Sequence, residues 1–151
     1  MARWSRIRCV EQYYRRGTFL TVAGLTETCT VVCTTSELDI DDGSSGSLVP
    51  GTRAILVDIE TGQEIAEYNK PGELLVQSPS LALGYLNNQK ATTETFIWRA
   101  DGRWIRTGDE VLVRKAASGN EHLVIVDRLK ELIKVNVSFP VSFLPHFRFA
   151  T

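Results

Sequence analysis

The stretch RWIRTGDEVLVRK, residues 103–115, contains a turn motif followed directly by a strand motif, and the fold depends on the backbone conformation where the two meet. Its second half, EVLVRK (110–115), is aliphatic and predicts a strand. Thr107-Gly108-Asp109 predicts a turn, because glycine adopts positive φ and aspartate bonds its own backbone. A second interpretation is that this turn directs the Asp109 carboxylate at a ligand with paired hydroxyls, since an ionised carboxylate has two acceptor oxygens and no donor.

Strand signals recur from Pro50 onward, and turn signals separate them at the spacing of an antiparallel sheet. The strands are RAILVDI (53–59), GELLVQS (72–78), EVLVRK and HLVIVDR (122–128), and the turns are ETGQE, NKPGE and ASGNE. One helix, NQKATTETF (88–96), interrupts them and directs Ala91 and Thr95 or Phe96 toward the sheet. The predicted fold class is therefore mainly β with a few helices (α+β), built as a small antiparallel β-barrel or β-sandwich.

The first part of the chain predicts a helix, a strand and two loops. Trp4, Ile7, Val10 and Tyr14 recur at roughly helical spacing. TFLTV (18–22) is β-branched and aromatic, which predicts a short buried strand leading into AGLTET. SELDIDDGSSGS (36–47) is acidic and rich in Gly and Ser, which predicts a mobile surface loop. It is not a phosphate cradle, because it lacks the Gly-Lys-Ser/Thr ending and its aspartates would repel phosphate.

Composition excludes several classes of function. The chain has 151 residues, 43% of them hydrophobic, which suffices for one core. Its formal net charge of −1 argues against a nucleic-acid partner. No apolar run is long enough for a membrane-spanning helix or a secretory signal, so an intracellular, by default cytoplasmic, protein is expected. The basic N-terminal residues also resemble a mitochondrial presequence, although a solvated helix face is favoured.

Three cysteines, Cys9, Cys29 and Cys33, lack the paired spacing of a zinc site. The two histidines, His122 and His146, lie far from them along the chain. Ordinary reduced thiols are therefore expected.

Four motifs follow one another in the chain: GLTET (24–28), GELLVQSPSLALGYLNN (72–88), WIRTGDE (104–110) and DRLKELIKVN (127–136). Together they resemble the adenylate-forming (AMP-binding) superfamily. DRLKELIK is more similar to the acyl-CoA synthetase and coumarate-CoA ligase branch than to the adenylation domains of peptide synthetases. The resemblance extends from about residue 11 to residue 136.

This resemblance implies a fragment that covers the end of the large N-terminal domain of such an enzyme. Residues 1–49 would end the core α/β subdomain, and residues 50–136 would form a distorted antiparallel β-barrel subdomain up to a hinge. Residues 137–151 form an aberrant apolar tail, with four phenylalanines and no acidic residue. The composition changes abruptly at Asn136, which motivates the hypothesis that the tail is translated intron or frameshifted sequence. A mature transcript that still encodes the tail would contradict the intron version.

The resemblance assigns roles to five residues. Asp109 would bind the ribose hydroxyls of ATP and of the acyl-adenylate, Thr26 would lie near phosphate, and Glu27 would help to hold magnesium. Arg128 would contact the ribose or phosphate region, and Lys130 would be the hinge of a C-terminal domain.

Beside the plain turn at Asp109, the other four residues also have simpler interpretations. Thr26 and Glu27 are common at helix N-caps and in surface loops. Arg128 can form a strand-end ion pair with Asp127 or Glu131. Lys130 without a moving domain is only a surface lysine.

Three further positions complete the comparison with the superfamily. Glu73 is interpreted as a strand-edge charge, and Gly84-Tyr85 as a tight turn followed by a buried aromatic residue. Ala23 departs from the superfamily, which usually has an aromatic residue there that stacks on adenine. Because stacking on a base contributes on the order of 1–3 kcal/mol, this departure weakens the expected adenine contact.

The implied parent activity joins a carboxylic acid to ATP, giving an acyl-adenylate, and then to CoA as a thioester. Its cofactors would be ATP/AMP, magnesium and CoA, and the acid itself stays undefined. The superfamily's phosphate loop would precede residue 1 and its catalytic lysine would follow residue 136, so the isolated chain is expected to be inactive. The alternatives are a non-catalytic β-rich binding module that associates with a full-length relative, or a non-functional truncated product. A peroxisomal compartment stays open for the parent enzyme.

Overall fold

A computed structural model describes residues 13–15, 18–20 and 22–129 of the chain. The strands are β1 (Tyr13–Arg15), β2 (Thr18–Leu20), β3 (Val22–Leu25), β4 (Thr30–Thr34), β5 (Ser47–Leu48), β6 (Arg53–Val57), β7 (Glu64–Ile65), β8 (Gly72–Gln77), β9 (Phe96–Arg99), β10 (Gly102–Lys115) and β11 (Glu121–Arg128). A 3₁₀ turn, η1 (Thr26–Thr28), and one helix, α1 (Gln89–Thr95), complete the described part.

Most of the predicted elements are confirmed. The strand signals after Pro50 correspond to β6, β8, β11 and the second half of β10. Helix α1 directs Ala91, Thr95 and Phe96 into the interior, where all three are buried. The helix predicted near the N-terminus falls mainly outside the described residues, and at Tyr14 it is wrong, because Tyr14 belongs to β1 and pairs with Phe19.

The largest sheet is antiparallel and has the strand order β11-β10-β8-β6-β7, with β9 also paired to β10. A second sheet has the order β3-β4-β5. Buried side chains of the two sheets form one hydrophobic cluster: Ala23, Leu25, Val32, Cys33, Leu56, Leu74, Val76, Phe96, Ile105, Val111 and Leu123. The core therefore lies between the sheets, in the manner of a sandwich.

The mainly β class is confirmed, with two qualifications. The described strands do not close into a barrel, and this part of the chain contains one α-helix instead of a few. Within residues 13–129, no described helix has the length and apolar character needed to cross a membrane.

The acidic Gly/Ser segment is a loop, as predicted, and its hydrogen bonds join it to the large sheet. Ser44 is buried, and its Oγ lies 2.8 Å from Nδ1 of His122 in β11. Nε2 of the same ring lies 3.0 Å from a carboxylate oxygen of Asp39. His122 is 1% exposed, so one buried imidazole joins two points of the segment to the sheet.

Gly46, at the end of this segment, has no room for a side chain. Its φ is +87°, and a Cβ there would lie 2.1 Å from the carbonyl carbon of Thr34. Gly43 has a similar φ of +77°, but a Cβ there would meet nothing within 4 Å.

We expect Gly46→Ala to be more destabilising than Gly43→Ala. The left-handed backbone costs either variant roughly 1–2 kcal/mol, and the clash with Thr34 should add about 1–3 kcal/mol for Gly46→Ala alone. Urea denaturation followed by circular dichroism measures both free energies of unfolding. Equal values for the two variants would show that the segment does not approach β4 as described.

Candidate functional site

Strand β10 contains a bulge where it passes β8. Arg106 pairs with Leu75 and Glu110 pairs with Glu73, so β10 advances by four residues while β8 advances by two. Gly108 lies within this interval and has a φ of 72°, which glycine adopts without strain. The predicted turn at residues 107–109 is therefore wrong as an element, because these residues form a bulge inside a continuous strand.

The bulge interrupts the hydrogen bonding between β10 and β8, and the Thr107 side chain supplies hydrogen bonds in its place. Its hydroxyl donates to the carbonyl oxygen of Leu74 at 2.9 Å and accepts from the backbone N–H of Asp109 at 3.1 Å. The bulged backbone is thus held from both sides, and the position of Asp109 is fixed by this local geometry.

Asp109 is a buried carboxylate with incomplete partners. Its exposed fraction is 2%, and its Oδ2 atom has no hydrogen-bond partner among the described residues. Oδ1 lies 3.6 Å from Nε of Arg128. Burial raises the pKa of Asp109 to about 6, which the positive charge of Arg128 opposes. An orphaned buried acceptor is rare in folded proteins, so this atom marks a candidate ligand site.

Arg128 and Asp109 are directly opposite each other in the pairing of β11 with β10. The Arg128 guanidinium therefore faces Asp109 and not Asp127, whose carboxylate accepts the backbone N–H of Arg128 at 2.7 Å. The predicted ion pair between Arg128 and Asp127 is wrong, because Arg128 pairs with Asp109. Glu131, the other predicted partner, lies outside the described residues, as does the hinge candidate Lys130.

A narrow apolar cleft between the two sheets leads to Asp109. Its walls include Ala23 of β3, Cys33 of β4, Val111 of β10 and Ile125 of β11. Burial raises the pKa of the Cys33 thiol to about 12, so this wall stays uncharged. The apolar lining explains why the Asp109 carboxylate is poorly solvated. Cys33 and Cys29 are both free thiols, as predicted, whereas Cys9 lies outside the described residues.

Thr26 and Glu27 lie in η1, directly after β3. Thr26 is exposed, and the N-cap position of this turn belongs to Leu25, so the N-cap interpretation of Thr26 is wrong. Glu27 is half-buried, and its Oε1 accepts a hydrogen bond of 2.8 Å from the Tyr85 hydroxyl.

Charge interactions link Glu27 of η1 to Asp109 of β10. The charges of Glu27 and Glu73 both raise the pKa of Asp109, so each of these carboxylates lies within electrostatic reach of Asp109. The described residues contain no group of three His, Cys, Asp or Glu side chains placed to hold a metal ion. Glu27 alone still fits magnesium, because this ion usually takes one or two protein carboxylates together with substrate phosphates and waters.

Glu73 and Tyr85 differ from the prediction in where they lie and in how far they are buried. Glu73 lies in β8, between β6 and β10, so it is an interior residue of the sheet and not a strand-edge charge. It is 3% exposed and forms a salt bridge with Arg106. Tyr85 is only half-buried, and its hydroxyl contacts Glu27, which lies 58 positions earlier. No local sequence signal connects two residues so far apart.

Comparison with known proteins identifies the family of the chain. The family model for AMP-binding enzymes matches residues 3–86, which is more than half of the chain, and the chain belongs to that family. The resemblance inferred from the four motifs is thereby confirmed.

Several of the similar proteins are acyl-CoA ligases. It is 49% identical over 112 residues to the acyl-CoA ligase lcsD of Purpureocillium lilacinum, which covers 74% of this chain and 28% of that protein. It resembles the solved long-chain-fatty-acid-CoA ligase FadD1 of Archaeoglobus fulgidus, with a TM-score of 0.64 and 26% identity over 74% of this chain and 22% of that one.

A second solved structure is the anthranilate CoA ligase AuaEII in complex with anthranoyl-AMP. It has a TM-score of 0.60 and 30% identity over 72% of this chain and 19% of that one. The chain thus spans about a fifth to just over a quarter of the proteins that it matches.

The raised pKa of Asp109 predicts a pH dependence of stability. Its folded-state pKa of about 6 lies above the unfolded value near 4, so folding favours the protonated carboxyl. The stability from this group is fully present below pH 4 or so, and it is lost as the pH rises through about 6.

Asp109→Asn should remove this loss and be more stable than the wild type at pH 7, by on the order of 2 kcal/mol. Chemical denaturation at pH 4, 5, 6 and 7 measures the difference, with the exposed Asp127→Asn as the control. A constant difference between Asp109→Asn and the wild type over this range would contradict the raised pKa.

Proposed function

We propose that this chain forms one wall of the nucleotide site of an AMP-forming acid-CoA ligase, which joins a carboxylic acid to ATP and then transfers the acyl group to CoA. The observation that carries the proposal is the buried Asp109 carboxylate, which lines a narrow cleft and whose Oδ2 atom has no partner among the described residues. The family match and the acyl-CoA ligases among the relatives support it.

In this proposal the Asp109 carboxylate accepts hydrogen bonds from the two adjacent hydroxyls of the ribose. Two diverging hydroxyls match two carboxylate oxygens, and a hydrogen bond to a charged acceptor contributes roughly 1.5–3 kcal/mol. Arg128 assists, because its charge opposes the burial that would otherwise keep the carboxyl protonated. Binding of the hydroxyls should lower the pKa of Asp109, since donors stabilise the ionised form.

The phosphate end of the nucleotide is assigned to η1. Thr26 is exposed there and can donate its hydroxyl to a phosphate oxygen. Glu27 would hold magnesium, which would supply positive charge to the phosphate oxygens when bound. Lys130, at the hinge position, would allow the change from acyl-adenylate formation to thioester formation in the whole enzyme.

The base end of the site is less favourable. Ala23 is buried in the wall of the cleft and offers a methyl group where a stacking ring would otherwise contribute on the order of 1–3 kcal/mol. The ribose and the phosphates should therefore dominate the affinity for the nucleotide.

Calorimetric titration of the full chain with AMP tests the assignment of Asp109. Asp109→Asn should weaken AMP binding by roughly 10- to 150-fold, the equivalent of one lost charge-assisted hydrogen bond. Glu67→Gln removes a charge at an exposed position and serves as the control. Circular dichroism of each variant shows that the loss does not come from unfolding.

A second ligand makes this test specific for the ribose. The wild type should bind 2′,3′-dideoxy-AMP more weakly than AMP, and Asp109→Asn should discriminate less between the two ligands. Wild-type protein that fails to bind AMP would refute the proposed function. Equal discrimination between the two ligands by wild type and variant would refute the role of Asp109.

A further inference from the structure

We infer that Tyr85 is a positioning residue, which orients the Glu27 carboxylate for the metal ion. The inference rests on the proposed function of this site. The Tyr85 hydroxyl donates a 2.8 Å hydrogen bond to Oε1 of Glu27. A donor bonded to one oxygen of a metal-binding carboxylate restricts the rotation of the whole group, so the direction of its other oxygen is set as well.

The backbone of Tyr85 is fixed by the start of α1. Its N–H donates to Oγ1 of Thr92 at 2.9 Å, and that hydroxyl donates to the carbonyl oxygen of Asn88 at 2.9 Å. Gly84 packs so closely that a Cβ there would lie 2.6 Å from Cγ2 of Thr92. The Tyr85 ring rests on Phe96, with 5.7 Å between the ring centroids. Tyr85 therefore approaches Glu27 from a defined direction.

The residues before Tyr85 hold the backbone of η1. The N–H of Ala82 donates to the carbonyl oxygen of Glu27 at 2.8 Å, and the Ser80 hydroxyl donates to that of Thr28 at 2.6 Å. The Arg103 guanidinium of β10 donates to the carbonyl oxygen of Ala82 at 2.7 Å. The segment 80–85 thus positions both the main chain and the side chain of Glu27.

The Tyr85 phenol is suited to this role because it keeps its proton. Burial and the neighbouring Glu27 carboxylate raise the pKa of Tyr85 to about 12. A permanent donor holds the carboxylate in one orientation over the whole physiological pH range.

The test compares Tyr85→Phe with the wild-type full chain. ATP binding is titrated by calorimetry at a series of Mg²⁺ concentrations, and AMP binding is titrated in EDTA. Loss of the hydrogen bond should weaken the apparent Mg²⁺ affinity by about 10- to 100-fold, while the AMP affinity in EDTA should stay within about twofold. Tyr68→Phe is the matched control, because Tyr68 also donates to a carboxylate, that of Glu121, on an exposed surface.

Thr92→Val gives a second test that leaves the phenol in place. It removes the hydroxyl that accepts the backbone N–H of Tyr85, so Tyr85 should lose its fixed approach to Glu27 and the apparent Mg²⁺ affinity should fall as it does in Tyr85→Phe. This variant decides the question if Tyr85→Phe does not fold. An unchanged Mg²⁺ affinity in Thr92→Val would overturn the inference.

The outcomes separate the inference from the proposed function. Wild-type protein that does not bind AMP in EDTA refutes the nucleotide site itself. If AMP binds but ATP binding shows the same Mg²⁺ dependence in Tyr85→Phe as in the wild type, the site stands and the role of Tyr85 is refuted. ATP binding that is independent of Mg²⁺ in the wild type refutes the role of both Glu27 and Tyr85.

Discussion

The bulge at Thr107–Asp109 is the constraint on which the site depends. Strand β10 pairs with β8, β9 and β11, so any irregularity in it is transmitted to the whole large sheet. Because β10 gains two residues over β8, the alternation of side chains is preserved, and Ile105 and Val111 both stay in the core on either side. A one-residue insertion would have reversed the faces. The even insertion instead places a carboxylate, Asp109, between two core residues.

Glu73 and Asp109 are both buried carboxylates of the large sheet, but their hydrogen-bond partners differ. Glu73 pairs through its side chain with the guanidinium of Arg106, at 3.1–3.2 Å from Nε, and is a satisfied structural charge. Asp109 faces Arg128 at 3.6 Å, and its Oδ2 atom has no hydrogen-bond partner among the described residues. A buried charge with incomplete compensation costs stability, and proteins keep such groups where a ligand completes the hydrogen bonding. This contrast distinguishes the candidate ligand group from the structural one.

The sequence predicts those features that depend on neighbouring residues. Aliphatic runs between turn signals identify β6, β8 and β11, and the spacing of Ala91 and Thr95 identifies α1, because each pattern is local. Predictions that depend on distant contacts were wrong or incomplete. Gly108 suits a turn and a bulge equally, and the interior place of Glu73 follows from strand order. The loop 36–47 was predicted, but its contact with His122, which lies 83 positions after Asp39, was not. The order of four motifs identified the family, since motif order does not require any contact to be known.

Strand β10 also connects the two ends of the candidate site. Arg103, near its start, holds the segment that carries Tyr85 and so supports Glu27, while Asp109, six positions later, faces the cleft. The separation between the carboxylate assigned to magnesium and the carboxylate assigned to ribose is therefore fixed along one strand paired on both sides. Sites supported by regular elements hold their geometry better than sites carried by loops alone. The 3₁₀ turn that carries Glu27 is short, and its hydrogen bonds to the segment 80–85 give it the rigidity that its own length does not.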